Sequence, residues 1–149
     1  MIWTNLTKLA YAVALGAHAG QRDKAGRPYI EHPLYVASQM TDEKSTAVAL
    51  LHDVFEDTAV TPEQLLAEPL CFPPDIIRSV QTLTHAKDDG RTYQEYVRDS
   101  RSDPIAVQVK LADLSHNSHL DRLGHAPTEK DLERVKRYEK ARAILLADD

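Results

Sequence analysis

Apolar residues recur along this chain at helical spacing, and nowhere do they alternate strictly enough for a strand. Leu6, Leu9, Ala10, Val13, Ala14 and Ala17 form one stripe that Thr4 or Asn5 can cap, predicting a first helix to about Gly16 or Ala19. Leu34, Val36, Ala37 and Met40 form a second, with Pro33 in its first turn and His32 at or near the N-cap. Thr41 or Asp42 caps a third, expected to carry Ala47 unbroken through Leu50, Leu51, Val54 and Phe55 to Glu56. Thr61-Pro62-Glu63-Gln64 reads as a capping box before a short helix ending near Pro69. Pro73-Pro74-Asp75 opens a helix with Ile76, Ile77, Val80 and Leu83 on one face, reaching about His85. Thr92 caps a helix holding Tyr93, Tyr96 and Val97, and Asp103-Pro104 caps one holding Ile105 to Ala112. Thr128 to Asp131 starts the last, striped by Leu132, Val135, Tyr138, Ala141, Ile144 and Leu145. The short joints predict an all-α single domain over residues 1–149, of about six to eight helices.

Composition narrows the partners. With 42% hydrophobic and 28% charged residues, 149 residues suit one folded core rather than a disordered chain. A net charge of −5 leaves no nucleic-acid footprint and no polybasic membrane patch, so the expected partner is a small molecule. Any anionic ligand must then be held by a local basic cluster or by a metal. Leu9 to Ala17 followed by His18-Ala19 mimics a cleaved leader, but Lys8 is the only cation before it and the run keeps amphipathic spacing. No apolar run reaches transmembrane length, and a cytoplasmic protein is expected. Cys71 is the sole cysteine, which excludes an internal disulfide and suits a reducing compartment; between Leu70 and Phe72 it is expected to pack.

The chemistry concentrates in His52-Asp53-Val54-Phe55-Glu56-Asp57. Residues three and four apart share a helix face, so His52 and Asp53 neighbour Glu56, and Asp53 neighbours Asp57. Carboxylates near a helix C-terminus repel one another and oppose its dipole, which a solvated helix end or a divalent metal would relieve. His32, beside Pro33, is either a structural hydrogen-bonder or a ligand. Asp113, inside an apolar helix, is either a ligand or the ion-pair partner of Lys110 or Arg122. Taken together, two imidazoles and two carboxylates suit a divalent metal such as Mn²⁺, Fe²⁺ or Zn²⁺. Such a metal acidifies bound water, and Glu56 or Asp57 can then orient or deprotonate the attacking water or protonate a leaving group. The loop from Gly20 to Tyr29 carries Arg22, Lys24 and Arg27, either as solvated charges or as a phosphate cradle. The last helix carries Lys130, Arg134, Lys136, Arg137, Lys140 and Arg142, mostly as a solvated face, with one or two reaching the site.

In order, His18-Ala19-Gly20-Gln21, Lys24 to Leu34, His52 to Thr58, and Lys110-Leu111-Ala112-Asp113 with His116-Asn117 resemble the HD superfamily of metal-dependent phosphohydrolases, specifically RelA/SpoT-type hydrolase domains and stand-alone small alarmone hydrolases. The resemblance covers about residues 8 to 145. It implies an all-helical fold and one Mn²⁺ held by His32, His52, Asp53 and Asp113. It implies that Glu56 and Asp57 serve the hydrolytic water, that Arg22 and Lys24 face the nucleotide, and that Asn117 contacts the nucleoside or its phosphates. The implied reaction removes the 3′-pyrophosphate of (p)ppGpp, giving GDP or GTP and pyrophosphate. Three places depart from the family pattern. Asp23 stands where the family packs an arginine on guanine, Leu114 replaces a second arginine, and His119-Leu120 replaces Arg-Thr. Arg22 or Arg27 can take the missing arginine's part, or the substrate is another phosphorylated nucleotide, such as ppApp or NADPH. A non-catalytic nucleotide-binding module is the third reading, and the Glu56–Asp57 pair argues against it.

Overall fold

The computed structural model describes residues 1–147, which are all-α, with nine α-helical segments and no strand among them. In chain order these are α1 (Asn5–Ala17), α2 (Glu31–Ser38), α3 (Glu43–Leu51), α4 (Val54–Asp57), α5 (Pro62–Leu66), α6 (Pro74–Thr82), α7 (Tyr93–Asp99), α8 (Pro104–Asn117) and α9 (Glu129–Leu146). Most starts follow local chemistry. Thr4, Asp42, Thr61, Thr92, Asp103 and Thr128 each accept a hydrogen bond from an amide in the first turn that follows them. Each such cap contributes about 1 kcal/mol.

The centre of the fold is α3. Every residue from Ser45 to Leu51 is buried, as expected of a helix with no polar face. α1, α2, α6 and α8 all pack on it, and α8 also meets α2 and α9. Val48, Leu50, Leu51 and Val54 are fully buried, each contributing about 1.5–3 kcal/mol. A smaller apolar cluster joins Tyr96 and Val97 of α7, Leu114 of α8, and Ala141 and Leu145 of α9.

Several expectations are corrected. The third helix is not continuous to Glu56; it stops at Leu51 and restarts at Val54. The His52 ring Nδ1 lies 2.6 Å from the Ala49 carbonyl, occupying the acceptor that a continuing helix would offer to the next amide. His32 does stand near the N-cap as expected, in the first turn of α2, two residues after Ile30. α6 ends at Thr82, three residues short of His85. Cys71 is exposed with φ 48 rather than packed, because the backbone turns there into the left-handed region and carries the side chain outward. Leu132 lies outside the apolar stripe of α9, 47% exposed, while Asp131 beside it is buried by closing the capping box with Thr128.

Candidate metal centre and flanking cavities

Three elements converge on one point. His32 comes from the first turn of α2, His52 and Asp53 from the break between α3 and α4, and Asp113 from α8. His32 Nε2 lies 2.8 Å from Asp113 Oδ1 and 3.7 Å from Asp53 Oδ2. His52 Nε2 lies 3.0 Å from Asp53 Oδ2 and 3.6 Å from Asp113 Oδ1. A first-row divalent ion with bonds of about 2.1 Å sets neighbouring donor atoms about 3.0–3.4 Å apart, so these separations are close to the edges of one coordination polyhedron.

The His52 ring supports the same reading. Its Nδ1–H donates to the Ala49 carbonyl, which leaves Nε2 to face the site. That Nε2 is buried and has no hydrogen-bond partner, although two carboxylate oxygens face it. Carboxylates facing that nitrogen in a buried site call for a cation there, either a proton on the ring or a divalent ion in the proton's place. Burial opposes charge on His52, but Asp53 and Asp113 outweigh it and hold the imidazole well above its ordinary pKa. Burial likewise opposes ionisation of Asp113, yet Lys110, His32 and His52 hold it well below the usual carboxylate range. His32, His52 and Asp53 offer donor atoms close enough together to share one divalent metal, and Asp113 Oδ1 lies against both imidazoles.

Each of these residues has a support. The Tyr29 hydroxyl donates to Asp53 Oδ2 at 2.6 Å. Asn117 Nδ2 donates to Asp113 Oδ1 at 2.9 Å, and Lys110 Nζ lies 3.0 Å from Asp113 Oδ2. The two readings of Asp113 are therefore compatible: one oxygen faces the imidazoles while the other pairs with Lys110. Arg122 takes no part in that pair; it donates to the His116 carbonyl at 2.9 Å and approaches Asp23 at 3.5 Å. For His32 to offer Nε2 to a cation, its Nδ1 must keep the proton, and His116 Nδ1 accepts it at 2.7 Å. Burial and the neighbouring His32 push His116 down to about 4, so it is a neutral acceptor. Tyr29 and His116 were not among the candidates. The sequence signals for them were proximity to Pro28 and the three-residue step from Asp113, neither of which specifies direction.

Glu56 and Asp57 are adjacent in sequence but open onto different cavities. Glu56 lines a cavity of about 150 Å³ with His52, Asp53, Tyr93, Lys110 and Asp113. Its Oε1 accepts the His85 backbone N–H at 2.7 Å, leaving Oε2 free. Burial, with Asp53 and Asp57 nearby, raises its pKa against the pull of that N–H. Asp57, also raised by burial and by Asp53, lines a separate cavity with Gln21, Arg22 and Tyr29, although its carboxylate, that of Glu56 and that of Asp53 offer oxygen atoms within 4.8 Å of one another. Next to it lies a basic cavity of about 320 Å³ lined by Arg22, Lys24, Asn117, Arg122, Arg134 and Tyr138. The three substrate-binding candidates, Arg22, Lys24 and Asn117, therefore meet there. Arg134 is the member of the basic face of α9 that reaches them, and burial together with Arg134 lowers the pKa of Lys24. Arg27 does not join them; its guanidinium pairs with Glu31. Asp23 organises the loop instead, its Oδ1 accepting the amides of Ala25 and Arg27, both at 2.9 Å.

Comparison with known proteins identifies the family. Residues 10–121 match the HD domain family. The chain belongs to the HD domain family. It is 36% identical over 115 residues to the guanosine-3′,5′-bis(diphosphate) 3′-pyrophosphohydrolase of Haemophilus influenzae, covering 70% of this chain and 17% of that protein. It is 34% identical over 125 residues to the GTP pyrophosphokinase rsh of Brucella ovis, covering 75% of this chain and 16% of that protein. The chain thus spans 16–17% of the length of these curated relatives. A solved structure described as a metazoan ortholog of SpoT that hydrolyzes ppGpp superposes with a TM-score of 0.76 at 25% identity, covering 99% of this chain and 89% of that one. In this HD domain no described helix is long and apolar enough to cross a membrane.

Proposed function

We propose that this HD domain is a Mn²⁺-dependent phosphohydrolase that removes the 3′-pyrophosphate of (p)ppGpp, and that it works in the cytoplasm. The observation that carries the reading is the buried His32, His52, Asp53 and Asp113 cluster, adjoined by a cavity holding a free carboxylate oxygen and by a cavity lined with cations. The names of its relatives support the choice of substrate. A bound divalent metal supplies Lewis acidity, lowering the pKa of water and polarising a phosphoryl oxygen.

The protein's own groups then divide the work. Arg22, Lys24 and Arg134 hold phosphate oxygens by charge-assisted hydrogen bonds, and Asn117 ties that cavity to Asp113. Glu56 Oε2 takes a proton from the attacking water, its raised pKa bringing it nearer the working range of a general base. The water oxygen bonds to the phosphorus attached to the ribose 3′ oxygen, and that P–O bond breaks. Asp57, on the basic side, delivers a proton to the leaving 3′ oxygen. The products are GDP or GTP and pyrophosphate.

The test is a product-resolved assay of ppGpp, pppGpp, ppApp and NADPH with Mn²⁺. Pyrophosphate release from ppGpp, lost in Glu56→Gln with metal content retained, is the expected result. Turnover of ppApp or NADPH with ppGpp inert would move the substrate assignment. Tight binding of one nucleotide without turnover would make the domain a binding module.

A further inference from the structure

His18 caps the C-terminus of α1 and is 2% exposed, yet the reaction described above makes no use of it. Its Nδ1 lies 2.7 Å from Gln21 Oε1. The other end of that amide fixes its orientation, because Gln21 Nε2 donates to the Asp57 carbonyl at 2.9 Å. An acceptor therefore faces His18, and Nδ1 carries the ring proton. Nε2 is then an acceptor, and it is buried without a partner. An unpaired buried acceptor opposes folding, so a position with only a packing role is better served by an apolar side chain. The ring lies against Tyr29, with centroids 4.9 Å apart and planes at 46°. Tyr29 is the residue whose hydroxyl donates to Asp53 Oδ2. One buried ring thus touches the support of Asp53 and, through Gln21, the backbone of Asp57.

We propose that His18 is a positioning residue of the metal centre: its ring wedges Tyr29 against Asp53. The inference rests on His32, His52, Asp53 and Asp113 forming a metal centre, and is independent of which nucleotide is hydrolysed. Groups that orient metal ligands typically change metal affinity by about 10–100-fold when removed.

The experiment is titration of the metal-free protein with Mn²⁺, following free ion by electron paramagnetic resonance, in a double-mutant cycle. His18→Ala and Tyr29→Phe each weaken binding about 10-fold, and the double variant stays within about twofold of the single ones, because both act through one hydrogen bond. His18→Phe keeps the ring face against Tyr29, so it binds Mn²⁺ within about threefold of the parent. Parental affinity in His18→Ala overturns the inference, as do losses that multiply to about 100-fold in the double variant. So does a well-folded His18→Phe that loses metal like His18→Ala. A chain showing the coupled Mn²⁺ binding but turning over no nucleotide sinks the proposed activity and leaves the role of His18 standing.

Discussion

Replacing Lys110 with methionine tests the electrostatics of the centre. Lys110 and Asp113 are 13% and 8% exposed at the side chain and 3.0 Å apart, so the pair is buried rather than screened. Its ammonium also lies 5.3 Å from the Tyr96 ring centroid and 5.7 Å from that of Tyr93. Methionine keeps most of the aliphatic stem and removes the charge. Breaking one side of a buried pair costs about 3–5 kcal/mol. Asp113 keeps Asn117 and His32 as hydrogen-bond partners, and methionine fills the space with apolar atoms, so the low end, about 3 kcal/mol, is expected. For a chain of this length that is a drop in Tm of roughly 6–12 °C. The drop belongs to the metal-free protein. With saturating Mn²⁺ the ion replaces the ammonium as the counter-charge of Asp113, and the difference between variant and parent should shrink by at least about half. Thermal melts followed by circular dichroism, in chelator and in Mn²⁺, read both quantities. A Tm in chelator within about 2 °C of the parent, or an equal loss with and without metal, would refute the claim that Lys110 neutralises Asp113.

Three further outcomes follow from the geometry. Glu56 has a folded-state pKa raised above its ordinary value, so its contribution to stability is fullest at low pH and falls as pH rises through that pKa. Glu56→Gln in chelator should therefore melt slightly higher than the parent at neutral pH, with the gain gone near pH 4; an equal shift at both pH values contradicts the assignment. Because the carboxylate is partly exposed, the gain stays below about 1 kcal/mol. Arg134→Ala removes a cation from the basic cavity and should raise KM for ppGpp about 10-fold with kcat nearly unchanged, as read by initial rates; a kcat loss with unchanged KM would place Arg134 in the chemical step. Asp23→Ala frees the amides of Ala25 and Arg27 and loosens the segment that presents Arg22 and Lys24, so KM should rise by a similar factor while Tm falls by only a few degrees; an unchanged KM would show that the loop needs no such brace.

The residue types needed for the centre were legible because they stand out chemically: an imidazole before a proline, a His-Asp pair after an apolar run, a carboxylate inside an apolar helix. What was not legible was direction. Lys110 and Arg122 were equal candidates for Asp113 from spacing alone, and packing chose Lys110 while sending Arg122 to the His116 carbonyl and Asp23. Arg22 and Arg27 were equal candidates for the substrate, and the fold put Arg22 on the basic cavity and left Arg27 outside it, beside Glu31. The break at His52 was missed because helical periodicity continues through it in sequence. A ring-to-carbonyl hydrogen bond, invisible to periodicity, interrupts the backbone ladder. His18 left no signal of its unpaired nitrogen, since that depends on how Gln21 is held by Asp57.

Sequence alone determined the helical class and most of the caps and nominated four residues for the centre, because helix periodicity, capping and residue chemistry are properties of neighbours in the chain. Tertiary structure decided which side chains meet. The contact between His32 and Asp113 spans 81 positions, and it exists because α2 and α8 pack beside one another against the same buried helix, α3. The same packing leaves Glu56 and Asp57, one residue apart, lining two different cavities beside the centre. No local pattern encodes that division, since it depends on where distant helices leave room.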